Sequence, residues 1–385
     1  MDHATQIEHA RRLSRHLAGR TTDMAPSLYE NPVDQYTCSR RLAHEREVLF
    51  RRWPLNMGLS CQIPKAGDYI TDDFSGVPVL VARGEDGRAR AFLNVCRHRG
   101  APVAEGRGRG RRRFVCPYHA WVYRTDGRLE RIPREAGFAD LDRECHGLVE
   151  LPLAEKYGML WVRTVPGAPL DVDVPLQGAA RDLAAYGFES YHHFETRVLE
   201  PRMNWKLVVD TFLETYHIRV LHRNTLDALL ETDIATFEGL GRNLRAIYAR
   251  KNFQTPTEQP EKDWNLLPYT TVVYVLFPNT VLIVQQDHIE TWRVYPNGGD
   301  PDASRLYVSL YTPEPSDSPS ATGHWQRNMD LLMAVVDQED FPLGERMQRG
   351  FHSGAQAHLT FGRNEPALAH YHAALDAELA WSSPG

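Results

Sequence analysis

The chain has 385 residues, 42% of them hydrophobic and 24% charged, a balance that suits a globular protein of about two domains and excludes a fibrous or disordered chain. Lysine and arginine number 44 against 50 acidic residues, so there is no basic excess to hold a nucleic acid or an anionic membrane. No stretch approaches the roughly 20 apolar residues of a membrane span, the polar segment Met1 to Arg20 lacks the apolar run of a secretory signal, and five cysteines are too few for a disulfide scaffold, which leaves the cytoplasm as the expected compartment.

The first fifty residues predict two helical pieces. Ile7 to Leu13 spaces apolar residues in a charged background, and Leu42 to Phe50 repeats the pattern just before Trp53-Pro54, where the proline disfavours helix at the residue preceding it. From about 55 to 165 the texture is β. Val77 to Arg83 and Ala91 to Val95 are short β-branched or aromatic runs parted by the turn signal Gly84-Glu85-Asp86-Gly87. Phe114-Val115, Trp121 to Tyr123 and Leu160 to Arg163 continue the theme, with Asp126-Gly127 as a further hairpin signal. Val165 to Pro169 reads as a linker. Beyond it, Pro201 to Leu221 and Gln326 to Phe351 predict helices, while Thr270 to Phe277, Thr280 to Val284, Glu290 to Tyr295 and Arg305 to Tyr311 predict strands. Pro313 to Ser320 reads as a surface loop.

The expected class is therefore α+β: a small antiparallel β domain and a larger domain with a twisted antiparallel sheet flanked by helices. The expected boundaries are 1–54 for an N-terminal helical arm that packs on the larger domain, 55–165 for the β domain and 166–385 for the larger domain.

Two constellations carry chemistry. Cys96-Arg97-His98 and Cys116-Pro117-Tyr118-His119 are paired ligand sets, each beside a strand-like run. Two thiolates and two imidazoles can hold zinc or a [2Fe–2S] cluster. Zinc fingers usually keep their cysteines together and their histidines together. Here each loop supplies one of each, which suits a cluster whose one iron takes both thiolates and the other both imidazoles. Between the loops lies Gly106-Arg107-Gly108-Arg109-Gly110-Arg111-Arg112-Arg113, either a solvated hairpin tip or a positive patch where an acidic redox partner docks.

The second constellation is Glu214, His217 and His222. Glu214 and His217 are three apart and share a helix face. His217 and His222 are five apart, roughly 140° around a straight helix, so they share a metal only if the helix widens or ends between them. A facial site of two histidines and one carboxylate also needs an acid from elsewhere. Asp337, Glu339 and Asp340 are candidates far downstream.

With these residues in place the chain resembles the Rieske non-heme iron oxygenases, catalytic α subunit. Cys96-Arg97-His98-Arg99-Gly100 and Cys116-Pro117-Tyr118-His119-Ala120-Trp121 look like the family's cluster signature, and Asp68-Tyr69 and Pro78 to Val81 look like the lead-in to it. Asn204-Trp205-Lys206 followed by Glu214, His217 and His222 matches the family's acid-x-x-His-x4-His segment in order and spacing, and Gln338-Glu339-Asp340 with Glu345 and Gln348-Arg349-Gly350 resembles its late segment. The likeness runs from about Leu28-Tyr29 to Glu365-Pro366. There are two departures: Ala120 stands where the family usually has Gly, a methyl that is tolerated unless the loop needs positive φ, and Thr211 stands where many members have Asn.

The resemblance implies a terminal oxygenase. Cys96, His98, Cys116 and His119 would hold a Rieske [2Fe–2S] cluster, and His217, His222 and Asp340 a mononuclear Fe(II), with Glu339 or Asp337 as alternatives to Asp340. Electrons would come from NAD(P)H through a separate reductase, directly or by way of a ferredoxin. The productive pair of centres would lie across the subunit boundary of a homotrimer, with Glu214 bridging His119 of one chain and His217 of the next. The reaction with O2 would hydroxylate, oxidatively demethylate or dihydroxylate a small organic substrate, monooxygenation being slightly favoured. Tyr248, Phe253, Trp264, Tyr269, Phe277 and Trp292 are candidate pocket aromatics, able as a cage to hold a quaternary ammonium. The compact length and the late segment look closer to the carnitine and choline monooxygenase side of the family than to the large ring dihydroxylases. The alternatives are a non-catalytic Rieske electron carrier and a structural zinc module.

Overall fold

The computed structural model describes residues 1–253 and 259–380. They form two compact units, one of Met1–Val48 with Asp173–Gly385 and one of Leu49–Val172.

The smaller unit is antiparallel β. Val79–Arg83, buried along its whole length, pairs with Tyr69–Asp72 and Ala89–Leu93, and Arg107–Gly108 and Glu150–Leu151 form the edges. Met159–Val162 joins Leu153–Lys156 to Leu55–Leu59. Arg113–Val115, Val122–Arg124 and Leu129–Arg131 make a three-stranded meander. Leu80, Phe92, Phe114, Trp121 and Tyr123 pack into one core with Cys96 and Cys116. The unit overruns the expected 55–165 span at both ends. The Thr164 hydroxyl donates to the Phe50 carbonyl at 3.1 Å, which ties the two flanks to each other.

The larger unit is organised by a seven-stranded antiparallel sheet in the order His192–Leu199, Ser304–Thr312, Ile289–Pro296, Thr280–Val284, Thr270–Leu276, Asn243–Arg250, Leu230–Leu240. Three adjacent strands, Thr270–Leu276, Thr280–Val284 and Ile289–Pro296, are buried at every position. Both their faces are therefore covered. The N-terminal helix His3–Gly19 buries His9, Ala10 and Leu13, and His9 Nδ1 lies 2.7 Å from the Thr236 hydroxyl of the Leu230–Leu240 strand. The strands 192–199, 230–240 and 243–250 and the closing helix Pro366–Leu379 were not expected from the sequence.

Two expected helices are interrupted, and both interruptions build the site. Pro201 to Leu221 is not one helix: Trp205–Asp210 and Ile218–Leu221 are parted by a turn over 211–217. The Asn204 side chain caps the first by accepting from Lys206 N at 3.0 Å. The Thr211 hydroxyl ends it by donating back to the Val208 carbonyl at 2.8 Å. The second expected helix begins earlier, at Pro319 after the Ser318 cap, and runs Pro319–Val335, then a π-helical turn Val336–Asp340, then Phe341–Phe351. Pro342 has no N–H to give and its ring crowds the carbonyl four residues back, so a regular α-turn cannot pass there. The chain widens instead, with Phe341 N bonding the Val336 carbonyl. No described helix is long and apolar enough to cross a membrane.

Candidate functional site

The Cys/His loops of the smaller unit have the same backbone plan. Cys96 N donates to Ala101 O at 2.8 Å and Gly100 N to Cys96 O at 2.9 Å; Cys116 N donates to Trp121 O at 2.8 Å and Ala120 N to Cys116 O at 3.0 Å. Each loop is thus a tight turn closed on its own cysteine. The residue that reverses each turn is left-handed: Gly100 has φ 84° and Ala120 has φ 55°. The loop does require positive φ where the family has glycine, and Ala120 adopts it at a cost in backbone energy.

The turns bring the four predicted ligands together. Both thiols are buried. The His98 and His119 rings are 4.6 Å apart, His98 lies flat on Trp121 at 5.0 Å, and His119 is exposed. Burial pushes the Cys116 thiol up, opposed by the backbone N–H groups of Tyr118 and His119, which favour thiolate. Burial, then His119 and Arg99, hold His98 below its ordinary value, hence neutral and able to ligate. The Tyr123 hydroxyl lies 3.3 Å from Cys96 Sγ and accepts from Arg97 N at 2.9 Å. Two buried sulfurs on one side and two imidazoles toward solvent on the other fit a [2Fe–2S] cluster of mixed ligation.

In the larger unit the interrupted helices converge. His217 and His222 are adjacent because the 211–217 turn ends before one and the short helix ends at the other. Their Nε2 atoms are 3.1 Å apart, and Asp340 Oδ1 is 3.2 Å from His222 Nε2 and 3.8 Å from His217 Nε2. These three groups are those that could hold one metal ion among the described residues. Donors bound at about 2.1 Å on one face of an octahedron stand roughly 3 Å apart, so this set fits iron(II). Each imidazole is held from behind by an acid. Glu214 bonds His217 Nδ1 and also accepts from His217 N at 3.1 Å. Glu339 Oε2 lies 2.7 Å from His222 Nδ1 and accepts from the Thr225 hydroxyl at 2.7 Å. The π-turn thus sets Glu339 and Asp340 on opposite nitrogens of one ring. Both histidines are left with Nε2 turned to the metal position, an orientation that carboxylates commonly enforce. Of the two alternatives to Asp340, Glu339 supports a histidine from the other side and Asp337 is exposed.

A cavity of about 310 Å³ opens beside these groups. The 211–222 segment and the Pro319–Asp340 helical stretch form one wall, and the sheet forms the other. Of the six aromatic candidates only Tyr248 and Trp292 line it; Phe253, Trp264, Tyr269 and Phe277 do not. Phe212, which spacing did not single out, does, with its ring 4.9 Å from Trp292. The cavity also holds charges that no motif marked. Glu290, buried in mid-sheet, accepts from Trp292 Nε1 at 3.0 Å and from Gln285 Nε2 at 3.2 Å. His288 sits between Asp287 and Glu290.

The Asn204-Trp205-Lys206 stretch does structural work. Trp205 Nε1 and Lys206 Nζ both donate to Glu45, at 2.8 Å and 2.7 Å, all three buried. Asn204 Nδ2 reaches the carbonyls of Tyr36 and Pro301.

Residues 54–150 match the Rieske [2Fe-2S] domain family, and residues 188–381 match the family described as Ring hydroxylating alpha subunit (catalytic domain). The chain belongs to the ring-hydroxylating α-subunit family and carries a Rieske domain. This α subunit is 28% identical over 357 residues to the carnitine monooxygenase oxygenase subunit of Escherichia coli (strain K12), covering 89% of this chain and 91% of the relative. It is 32% identical over 235 residues to the glycine betaine monooxygenase oxygenase subunit of Chromohalobacter salexigens, covering 61% of this chain and 52% of the relative, so the match spans about half the length of that protein. Among solved structures, a quaternary ammonium Rieske monooxygenase in complex with L-carnitine superposes with a TM-score of 0.79 at 23% identity, covering 93% and 97% of the two chains. Naphthalene 1,2-dioxygenase from Rhodococcus sp. bound to indole gives 0.73 at 17%, covering 98% and 99%. At those identities the α subunit shares their fold.

Proposed function

We propose that this α subunit is a terminal oxygenase that uses O2 and electrons from an NAD(P)H-dependent reductase, received directly or through a ferredoxin, to monooxygenate a small organic substrate. One observation carries the reading: His217, His222 and Asp340 converge in the wall of a cavity, in a chain that also carries the paired Cys/His loops. Cys96, His98, Cys116 and His119 would hold the cluster, and His217, His222 and Asp340 the iron. When bound, the two centres supply one-electron transfer and dioxygen chemistry. The protein's share is to orient and to exclude water. Glu214 and Glu339 fix the two imidazoles, while Phe212, Tyr248 and Trp292 offer an apolar seat for the substrate. Aromatic faces suit an alkylammonium group, and the monooxygenases named for carnitine and glycine betaine make such compounds the first class to test. Hydroxylation or oxidative demethylation is favoured over dihydroxylation on the same ground.

The reading extends to assembly. Tyr216 and Val220, 63% and 79% exposed, flank the Glu214–His217 turn, and Tyr118 and Val115, 56% and 52% exposed, flank the second cluster loop. Apolar side chains at both places suit burial against other subunits of a homotrimer, in which Glu214 would bridge His217 to His119 of a neighbouring chain. Arg109, Arg111 and Arg112 are exposed and make no ion pair among the described residues, and the three-residue strand Arg113–Val115 leads from them to Cys116. Arg112 is roughly 13 Å from the cysteine along the strand, and the three arginines form a docking patch for an acidic electron donor. The compartment is the cytoplasm, where such reductases draw on NAD(P)H.

The first test is iron and acid-labile sulfide per chain after anaerobic purification. About three iron and two sulfide are expected. Two and two, with iron(II) reconstitution failing, would make the protein an electron carrier, and one zinc without sulfide would overturn the assignment. Glu214→Gln should keep both centres and lower turnover about 10–100-fold; turnover near wild type would remove the bridge.

A further inference from the structure

We propose that Arg250 is an anion anchor in the cavity, so that the substrate carries a carboxylate paired with its guanidinium. This rests on the oxygenase reading for the cavity's use and on the following geometry for the residue.

Strand periodicity puts Tyr248 and Arg250 on one face of Asn243–Arg250, and both line the cavity. Arg250 is half-buried there without a counter-ion among the described residues. The one hydrogen bond of its guanidinium is a 3.5 Å contact from Nη1 to Gln285 Oε1, a neutral amide that also accepts from the Thr271 hydroxyl at 3.1 Å. Three buried arginines of this chain are ion-paired: Arg83 with Glu155 at 2.6 Å, Arg41 with Glu45 at 3.0 Å, and Arg245 with Asp182.

The acids that share the cavity with Arg250 are engaged elsewhere. Asp287 bonds His288 Nδ1 at 2.7 Å and His324 Nε2 at 2.8 Å, and it acts on Arg250 only from beyond ion-pair distance. Glu290 is occupied by Trp292, Gln285 and His288. Burial accordingly holds Arg250 below its ordinary pKa, opposed by Asp287.

A desolvated cation without a partner is unfavourable in the free protein. An anionic ligand group removes that cost on binding, and the planar fork of arginine matches a carboxylate. The aromatic part of the same cavity would take the other end of the molecule. A substrate with a carboxylate at one end and an alkyl or alkylammonium group at the other fits both features.

The test uses four compounds of like shape against the anaerobic holoenzyme. Glycine betaine carries an ammonium and a carboxylate; choline carries the ammonium and an alcohol. Their carbon isosteres, 3,3-dimethylbutyrate and 3,3-dimethylbutanol, carry a tert-butyl group in place of the ammonium. Binding is measured by titration calorimetry for wild type, Arg250→Met and Arg250→Lys. Each carboxylate is expected to bind wild type at least about tenfold tighter than its alcohol. Arg250→Met should bring the ratio close to one, and Arg250→Lys, which keeps the charge without the fork, should fall between.

Wild type that binds neither carboxylate, or that prefers the alcohols, overturns the proposal. So does an Arg250→Met protein that keeps the preference. If Arg250→Met fails to fold, the wild-type ratios and Arg250→Lys still decide. The oxygenase reading fails by a different signal in the same samples, the absence of the cluster's visible spectrum and of its sulfide. Equal binding of glycine betaine and 3,3-dimethylbutyrate would remove the ammonium preference and leave the carboxylate anchor standing.

Discussion

Glu339 and Asp340 are neighbours in sequence, yet the π-turn assigns them different tasks, and metal affinity separates the two. Glu339→Ala removes the acceptor that holds His222 Nδ1 at 2.7 Å and the Thr225 hydroxyl at 2.7 Å. His222 keeps its Nε2 near Asp340, so all three donors survive, but the ring is free to turn. Loss of such a support typically weakens metal binding about 10–100-fold, or about 1.4–2.8 kcal/mol. Asp340→Ala deletes a donor and should leave no iron after desalting, while Asp337→Ala, at an exposed position, should bind as wild type does. Glu339→Gln keeps an oxygen acceptor without the charge and should lose less than about tenfold. The assay is anaerobic competition for iron(II) against a chelator, with the cluster's visible absorption as an internal control for folding of the other unit. Iron held at wild-type affinity by Asp340→Ala, or stripped as fully by Glu339→Ala as by Asp340→Ala, would refute the division of roles.

Other outcomes follow from the rest of the molecule. Burial works against a charge on His288, but hydrogen bonds to Asp287 and Glu290 prevail and raise its pKa to about 9. Because an unfolded histidine titrates near about 6.5, the stability this group contributes is complete below that value and is lost as pH rises through about 9. Urea melts across that window should show stability falling by up to about 3 kcal/mol, and His288→Phe should flatten the dependence. Ala120→Gly relieves a left-handed alanine and should stabilise the cluster-bearing unit by about 1 kcal/mol, read as a higher melting midpoint with an unchanged cluster spectrum. Glu45→Ala strands the buried Lys206 ammonium and the Trp205 N–H and should cost about 3–5 kcal/mol; a loss under about 1 kcal/mol would mean that water reaches the network.

Much of the candidate site is legible in the chain because its parts are local. The Cys-x-His and Cys-x-x-His pairs sit on hairpin loops whose ligands are two and three residues apart, so spacing alone brings each pair together. Glu214 and His217 are likewise joined by one turn. The five-residue gap to His222 states its own condition, that the helix must end or widen, and the caps at Thr211 and His222 meet it. The smaller unit's strands are equally plain, since short β-branched runs between glycine turns have few other solutions. The strand His192–Leu199 was not, because its charged and aromatic residues do not alternate with apolar ones, and its neighbour in the sheet, Ser304–Thr312, lies far downstream in the chain.

Sequence alone names the chemistry on offer: two ligand loops, a Glu-x-x-His-x4-His segment and a late group of acids. Tertiary structure placed the two acids, since Glu339 reaches His222 across 117 positions and the widened turn before Pro342 sets it at Nδ1 while Asp340 lies 3.2 Å from Nε2. It also decided the pocket. In a sheet covered on both faces an aromatic residue is buried whichever way it points, so alternation cannot tell a lining residue from a core one; Tyr248 and Trp292 line the cavity, while Phe277 falls in the turn after Thr270–Leu276. Arg250 is the sharpest instance: a charge at the end of a strand is unremarkable in sequence, and becomes informative only where packing half-buries it beside a neutral amide with no counter-ion among the described residues.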